Sequence, residues 1–359
     1  MTEAEKASTP GQPEIPFRYV YTPGLAGLLE ELGAALLVST YQAGKLVVVR
    51  AEQGRLSTLL RNFEQAMGLA GDCRRLAVGT RSMIWFLRNA PDIAPQLEPA
   101  GRHDSCFIPR SCHVTGDVRI HEIAWSGETL WLVNTRFSCL CTLHPDYSFV
   151  PRWRPPFVTA FTAEDRCHLN GLAMVDGQPQ YVTALGETDT PGGWRPKKVT
   201  GGCVIDVPSG QVVVRGLAMP HSPRVHDRQL WVLDSGNGHV RIVGPGSGKG
   251  IVVAELPGYP RGLAFCDRYA FVGLSKIRET STFGGMPLAQ RRNQLKCGVW
   301  VLDNRSGQVV EFLEFEKGVE EIFDVQILAG VRFPAVVGFD RDVIQDTFVV
   351  PPDEPKAMP

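Results

Sequence analysis

The sequence predicts an all-β protein, a single closed β-propeller of six blades, with seven blades as the alternative. Three observations predict it. A two-strand unit recurs six times, most copies are followed by two further strand-like runs, and Gly (37) and Pro (27) are frequent enough to turn many short strands. Four strands repeated at roughly 40 to 60 residues is the spacing of propeller blades.

Each unit is a short apolar strand, a polar turn and a second apolar strand that ends in small or polar residues. HEIAWSGETLWLVNT and NGLAMVDGQPQYVTAL are two of the copies. Their length and alternation favour β-hairpins over helices. After the copy MGLAGDCRRLAVGT, we expect SMIWFLRN and GDVRI to be the third and fourth strands of that blade.

The last copy, DVQILAGVRFPAVVGF, lacks outer strands, and the N-terminal runs LLVSTYQ, KLVVVRAE and RLSTLLRNF can supply them. Pairing the two chain ends closes the ring and removes free sheet edges. Seven blades stay open because LLVSTYQ could compete with PAVVGF. GLAGLLEELGAA is typical of a short helix. We expect a flexible N-terminal segment at 1–23, the propeller at 24–345 and a tail at 346–359.

Composition excludes several function classes. Lys and Arg (37) balance Asp and Glu (38), which is not the charge pattern of a nucleic-acid-binding protein. The chain begins without a secretory signal pattern, and no apolar run approaches the ~18 residues of a membrane span. We therefore expect a cytoplasmic protein without nucleic-acid or membrane partners. The nine cysteines follow no repeating spacing and are expected to be free.

Polar residues recur at the start of the units, where the innermost strand of each blade meets the channel mouth. The equivalent positions in the six copies are Met67, His121, Asn170, His221, Arg261 and Asp324. Polar groups that converge around a narrow channel need partners, water, a metal or a ligand. We expect a functional site there, with four catalytic candidates, His121, His221, Arg224 and Arg261.

Three histidines from consecutive blades suggest a metal, because imidazole is a common ligand of Zn, Cu and Fe. The predicted metal ligands are His121, His168, His221, Asn170 and Asp324. Calcium held by Glu122, Asn170 and Asp324 is a lesser variant, since Ca²⁺ takes oxygen ligands. No short metal-binding motif such as HExxH occurs. The alternative is a set of hydrogen-bonded channel residues.

Further residues on the same face are expected to bind substrate. They are Tyr41, Gln42, Asn134, Arg136, Trp194, Arg195, Asp234, Lys276 and Arg278. Arg224 and Arg261 could clamp a carboxylate or phosphate, or pair with acidic residues between blades. Asp234 could instead cap its turn. The insertions 88–118 and 276–296 are expected to cover or line this face.

Five strings carry a family resemblance: STYQAGKL, MPHSPR, LWVLDSGNG, PRGLAF and FVGLSKIRE. With them the chain resembles, from about Leu28 to Phe339, an uncharacterised bacterial family of six-bladed propellers. The resemblance implies a shared propeller fold and a shared face carrying the PHSPR and LDSG segments. Members of this family are similar to domains fused to other modules, which leaves a binding role open.

At the level of fold the chain is also similar to the lactonase and strictosidine-synthase-like propellers, which hold a metal with Glu, Asn and Asp. Asn170 and Asp324 fit that pattern, whereas His121, His221 and Arg261 depart from it and argue against calcium and lactone hydrolysis. Fold alone does not define a function.

Two functions follow from the sequence. The first is a metal-dependent enzyme, a hydrolase or oxidoreductase, acting on a small polar substrate or a peptide at the channel mouth. The ring of titratable residues favours it. The alternative is a non-catalytic propeller that binds a peptide or partner protein on the same face, which the missing catalytic motif and the long insertions favour.

Overall fold

The computed structural model describes residues 17–246, 248–277, 284–338, 344 and 347–350. The strands in these ranges form six sheets that surround a channel as a six-bladed β-propeller. The predicted fold class is confirmed, and the seven-bladed alternative is wrong.

The chain first contributes β1 (Arg18–Tyr21) and α1 (Gly24–Glu31), then β2 (Ala34–Thr40), β3 (Lys45–Glu52) and β4 (Arg55–Asn62) of blade 6. Blade 1 contains β5 (Leu69–Gly71), β6 (Arg75–Gly79), β7 (Met83–Asn89) and β8 (Ser105–Val114). Blade 2 contains β9 (Ile120–Ser126), β10 (Thr129–Asn134), β11 (Cys139–His144) and β12 (Tyr147–Trp153).

Blade 3 contains β13 (Leu169–Val175), β14 (Gln178–Ala184), β15 (Gly202–Asp206) and β16 (Val212–Leu217). Blade 4 contains β17 (Pro220–His226), β18 (Gln229–Asp234), β19 (His239–Val243) and β20 (Ile251–Glu255). Blade 5 contains β21 (Tyr259–Cys266), β22 (Tyr269–Ser275), β23 (Gly298–Asp303) and β24 (Val309–Lys317). The innermost strand of blade 6 is β25 (Asp324–Ala329), and β26 (Pro334–Val336) follows it. Short 3₁₀ helices span Ala94–Gln96, Arg195–Lys197, Ser235–Asn237 and Pro287–Gln294.

The ring closes as predicted, because β25 pairs with β2, with Ser39 opposite Asp324. Three details differ from the expectation. Since β2 occupies the edge of β25, the PAV segment (β26) pairs instead with β8 of blade 1, in parallel. The fourth strand of blade 1 is β8 rather than GDVRI, which leads into β9. The segment expected to be flexible contributes β1, which adds to the outer edge of blade 5.

Close approach of neighbouring inner strands shapes the ring. Gly262 has a φ of +83°, and a Cβ atom there would lie 2.6 Å from the backbone nitrogen of Val325 in blade 6. Gly171 lies similarly close to Pro223, whose Cδ would be 2.3 Å from an added Cβ. Glycine allows both the conformation and the contact.

Hydroxyl groups at the ends of the second strands join one blade to the next. Thr135 donates to the carbonyl oxygen of Leu169 at 2.6 Å. Two blades further along the chain, the Ser235 hydroxyl donates to the carbonyl oxygen of Pro260, also at 2.6 Å. These bonds explain why the second strands end in small polar residues, because a buried carbonyl needs a donor.

Two other sequence expectations concern the whole chain. All nine cysteines are free, as expected, although Cys73 and Cys112 are exposed. In the described ranges, no helix has the length and apolar character needed to cross a membrane.

Candidate functional site

A cavity of about 470 Å³ lies at the end of the ring where the innermost strands begin. We call this cavity the mouth pocket. Six of the predicted site residues line it, namely Tyr41, His121, His168, Trp194, Arg195 and Arg261. Its remaining lining residues are Gln65, Met67, Arg81, Asp117, Arg119, Glu321 and Phe323.

His121 has a defined tautomer. Its Nδ1 lies 3.1 Å from the carbonyl oxygen of Arg119 and 2.7 Å from the hydroxyl of Thr135. Thr135 uses its own hydrogen to donate to Leu169, and a carbonyl can only accept. Nδ1 must therefore carry the proton, which leaves an unprotonated Nε2 in the neutral ring.

His221 repeats this arrangement two blades further on. Its Nδ1 lies 2.9 Å from the carbonyl oxygen of Met219 and 3.1 Å from the hydroxyl of Ser235, which donates elsewhere. The two rings have centroids 6.4 Å apart and planes inclined by 23°. His221 is 4% exposed and lies behind the lining of the mouth pocket.

Both rings are neutral at physiological pH. Burial lowers the pKa of His121 and of His221 well below the usual range, and the nearby Arg261 guanidinium lowers each further. A buried imidazole beside a cation stays unprotonated because a second positive charge would be poorly solvated. Each ring can thus accept a hydrogen bond or a proton at Nε2.

His168 forms a dyad with Asp165. Its Nδ1 lies 3.0 Å and 2.9 Å from the two carboxylate oxygens of Asp165, which also pairs with Arg119 at 3.1 Å. The carboxylate fixes the ring orientation and directs the proton to Nδ1. The centroid of the His168 ring lies 5.0 Å from that of His121, in an edge-to-face arrangement, and 4.5 Å from that of Trp194.

Arg261 supplies a buried positive charge. Its guanidinium lies 3.5 Å from the centroid of Phe323, and its Nη1 is 3.9 Å from a carboxylate oxygen of Glu321. Its Nη2 is buried and has no hydrogen-bond partner within the described ranges. Burial lowers the pKa of this guanidinium from its usual range. An acceptor that reached Nη2 would complete the hydrogen bonding of this guanidinium.

The two other channel candidates, Arg224 and Asp324, belong to a separate cluster. Arg224 donates to Glu122 at 2.9 Å, so this pair links blade 4 to blade 2. Asp324 accepts from the backbone of Leu69 at 2.9 Å. Burial and the Glu122 carboxylate raise the pKa of Asp324 to about 7. None of these side chains lines the mouth pocket. Their hydrogen bonds instead join the innermost strands of different blades to one another.

Several predicted ligand-binding residues are engaged within the protein. Asn170 donates to the carbonyl oxygen of Pro220 and accepts from Thr183. Asp234 is fully buried and accepts from Ala218 and Arg241.

The other predicted substrate-binding residues in the described ranges do not line the mouth pocket. Asn134 is fully buried within blade 2, and Arg136 pairs with Asp117 at 3.4 Å. Gln42 is exposed beside Tyr41, and Lys276 is half-buried at the end of β22. Arg278 falls outside the described residues.

The five predicted metal ligands do not form one site. In the described part of the chain, no three His, Cys, Asp or Glu side chains are placed to hold a metal ion together. The amide of Asn170 and the carboxylate of Asp324 are committed to hydrogen bonds inside the ring. Binding of Cu, Fe, Zn or Ca stays a prediction, with His121 and His168 as the remaining ligands that line the pocket.

A second ring of residues lies two positions before the first, and only His168 among its members was predicted from the sequence. Gln65, Arg119, His168 and Met219 occupy equivalent places in four blades and share a φ near +50°. This conformation is uncommon outside glycine and brings Gln65, Arg119 and His168 to the pocket lining. Comparing that position across the copies would have found Gln65 and Arg119 as well.

The long insertions divide between two places. Residues of 284–296 pack in an apolar cluster over blades 3 to 5, made of Trp194, Tyr259, Met286, Leu288 and Leu295 with their neighbours. Of the insertion 88–118, Asp117 alone lines the mouth pocket. No described residue of the insertion 276–296 lines the mouth pocket, but part of it packs in one apolar cluster with Trp194, which does.

Comparison with solved structures shows the fold. The crystal structure of a nidogen/laminin complex contains a chain with 12% identity and a TM-score of 0.51, covering 83% of this chain and 99% of that one. A protein of unknown function from Bacteroides caccae has 9% identity and a TM-score of 0.51, covering 82% and 98%. An aldose sugar dehydrogenase from Streptomyces coelicolor, solved with PQQ, has 13% identity and a TM-score of 0.40, covering 74% and 95%.

At these identities the likeness extends to the fold and not to an activity. No curated protein sequence matches the chain. Residues 23–337, which include every strand from β2 to β26, match a family described as a domain of unknown function, DUF4915. The chain therefore belongs to the DUF4915 family.

Proposed function

We propose that this protein is an enzyme that acts on a small anionic substrate in the mouth pocket by general acid–base catalysis. One observation carries the proposal: the His168–Asp165 dyad borders the same cavity as Arg261, whose Nη2 is buried without a partner in the described ranges. A proton-transferring group beside an unsatisfied cation is an arrangement that a structural scaffold does not require.

His168 is the proton-transfer group. Asp165 holds its Nδ1–H, so the opposite ring nitrogen, Nε2, is the atom that can take a proton from a substrate and return it. His121, neutral and 5.0 Å away, can accept a hydrogen bond from a substrate hydroxyl or amine. The pocket thus places a base, His168, beside a hydrogen-bond acceptor, His121.

Arg261 holds the anionic group. A carboxylate or phosphate would bond to its Nη2 and offset the buried charge. The same charge would stabilise negative charge that develops as the proton leaves. The lining supports an anion, because it contains four arginines, Arg81, Arg119, Arg195 and Arg261, against two carboxylates, Asp117 and Glu321.

A metal-dependent reaction is the second candidate. His121 and His168 line one cavity, and their Nδ1 atoms are held by hydrogen bonds, as is usual for metal-binding histidines. Elemental analysis of the purified protein decides this point. A stoichiometric metal that is lost in H121A and H168A would establish the metal-dependent form.

The test of the main proposal starts with small carboxylates and phosphate esters, screened by thermal shift. NMR then follows whether each binding compound is converted. We expect R261Q to weaken binding, and H168Q and D165N to abolish conversion while binding persists. H144Q, at an exposed histidine of the outer strands, is the matched control and should behave as wild type.

Two outcomes contradict the proposal. Binding that R261Q leaves unchanged would place the ligand elsewhere. Binding without conversion of any compound would favour the alternative, a propeller that binds a peptide or partner protein through the same pocket.

A further inference from the structure

The lining of the mouth pocket includes a series of aromatic and imidazole rings with an arginine at each end. At one end the Arg261 guanidinium lies 3.5 Å from the centroid of Phe323. At the other end the Arg195 guanidinium lies 4.5 Å from the centroid of Trp194. The two cations belong to different blades, because Arg261 is on β21 of blade 5 and Arg195 lies between β14 and β15 of blade 3.

The two histidines of the pocket lie between these ends. The ring centroid of His121 is 5.2 Å from that of Phe323, and the ring centroid of His168 is 4.5 Å from that of Trp194. The centroids of the two imidazoles are 5.0 Å apart. Ring contacts therefore run from one guanidinium to the other, with the two imidazoles in the middle.

The charge of Arg195 has no carboxylate partner within the described ranges. The lining contains two carboxylates. Asp117 pairs with Arg136 at 3.4 Å, and Glu321 lies 3.9 Å from Arg261. Neither carboxylate thus offsets the charge of Arg195, and an unpaired cation beside a cavity favours an anionic ligand.

Arg195 is better placed to hold a ligand than Arg81, the other arginine of the lining that forms no ion pair in the described part of the chain. Both side chains are exposed. Trp194, however, is 1% exposed and packs with Met286 and Leu288, so the ring beneath the Arg195 guanidinium is fixed. A guanidinium held on a fixed ring loses less conformational freedom when it binds an anion.

We propose that the substrate of the mouth pocket is a small molecule with two anionic groups, one held by Arg261 and the other by Arg195. A dicarboxylate and a phosphorylated carboxylic acid share this chemistry. The inference rests on the proposed function and narrows its substrate class. Two anchored ends would place the middle of the molecule against His121 and His168, and such positioning favours proton transfer at that point.

The experiment compares glutarate with pentanoate, its monoanionic counterpart of the same chain length, by calorimetry at pH about 7 in about 0.15 M NaCl. We expect wild type to bind glutarate about threefold to tenfold more tightly, since Arg195 is exposed. In R195Q this preference should disappear while the affinity for pentanoate stays unchanged. R261Q should weaken the binding of both acids. R81Q should lower the preference less than R195Q, and R305Q, at an exposed arginine of an outer turn, should leave it unchanged.

Phosphoglycolate, with one phosphate and one carboxylate, is measured alongside. Tighter binding of phosphoglycolate than of glutarate would identify the substrate as a phosphorylated acid, and the reverse order would identify it as a dicarboxylate.

Equal affinities of wild type for all three compounds, each weakened in R261Q, would overturn the dianionic substrate and leave the proposed function intact. A preference that R81Q abolishes and R195Q leaves unchanged would overturn the role of Arg195. If folded protein, as checked by circular dichroism, bound none of the three compounds, the dianionic substrate would again be contradicted.

Discussion

His121 and His221 lie two blades apart, and each donates its Nδ1–H to the carbonyl oxygen of the residue two positions before it. Each also contacts a hydroxyl that ties its own blade to the next. The repeat has therefore built the same neutral, Nε2-unprotonated imidazole twice. The charge of Arg261 lowers the pKa of both rings, so these pKa values depend on whether an anion offsets that charge.

Removing the charge of Arg261 should raise the pKa of both histidines. Burial lowers these pKa values first and Arg261 second, so in R261Q they should rise but stay below the usual value. NMR titration of the ring protons measures this. Unchanged pKa values would show that the Arg261 guanidinium does not act on the rings. R305Q, at an exposed arginine of an outer turn, is the control and should leave both pKa values as in wild type.

Thr135→Val should destabilise the protein. The variant loses the bond to Leu169 and the hydroxyl that contacts Nδ1 of His121, which costs about 1–3 kcal/mol in the free energy of unfolding. Chemical denaturation measures the change. Thr129 lies exposed at the start of the same hairpin strand, and T129V should cost less than about 0.5 kcal/mol. Equal losses of stability in T135V and T129V would contradict the conclusion that the Thr135 hydroxyl stabilises the contact between blades 2 and 3.

Asp324 should make stability depend on pH. Its pKa is raised from 3.8 to about 7 in the folded protein, so the folded state binds more protons than the unfolded state between those values. The free energy of unfolding due to this group therefore falls as pH rises from about 4 to about 7. D324N, which does not titrate, should lack this fall. If the free energies of unfolding of wild type and D324N differed by a constant amount from pH about 4 to about 7, Asp324 would not be the source of the pH dependence.

Gly262→Ala should be far more damaging than Gly330→Ala. Both glycines have a positive φ, +83° and +77°, so each variant meets a backbone cost of about 1–2 kcal/mol. Only at Gly262 would the new Cβ also meet the backbone of Val325, at 2.6 Å, whereas Gly330 has open space. Thermal unfolding should show the larger loss in G262A. Similar losses would mean that the blades can separate at little cost.

The fold was predictable because the repeat is visible in the sequence. Alternating apolar hairpins with a regular turn spacing specify blades, and a last copy without outer strands specifies closure by the N-terminus. The partner of PAV was not predictable in this way. Both LLVST and PAV have the composition of a second strand, and the competition for β25 is decided by tertiary packing.

The site was only partly predictable. His121, His168 and Arg261 follow from the repeat position, and they do line one cavity. Asp234 and Asn170 carry equally polar side chains at comparable places, yet their bonds are internal. Sequence spacing shows which end of a strand a residue occupies, but not whether its polar atoms are satisfied by backbone groups of the next blade.

The most direct test of the account is the protonation of the His121 ring, read from two-bond proton–nitrogen NMR spectra at pH about 7. The signals would be assigned with H121Q and H221Q. The account predicts a neutral ring protonated at Nδ1, with an Nε2 signal that shifts when a small anion binds in wild type but not in R261Q. A ring protonated at Nε2, or a charged ring, would contradict the central claim that the mouth pocket presents an unprotonated imidazole nitrogen beside a buried cation.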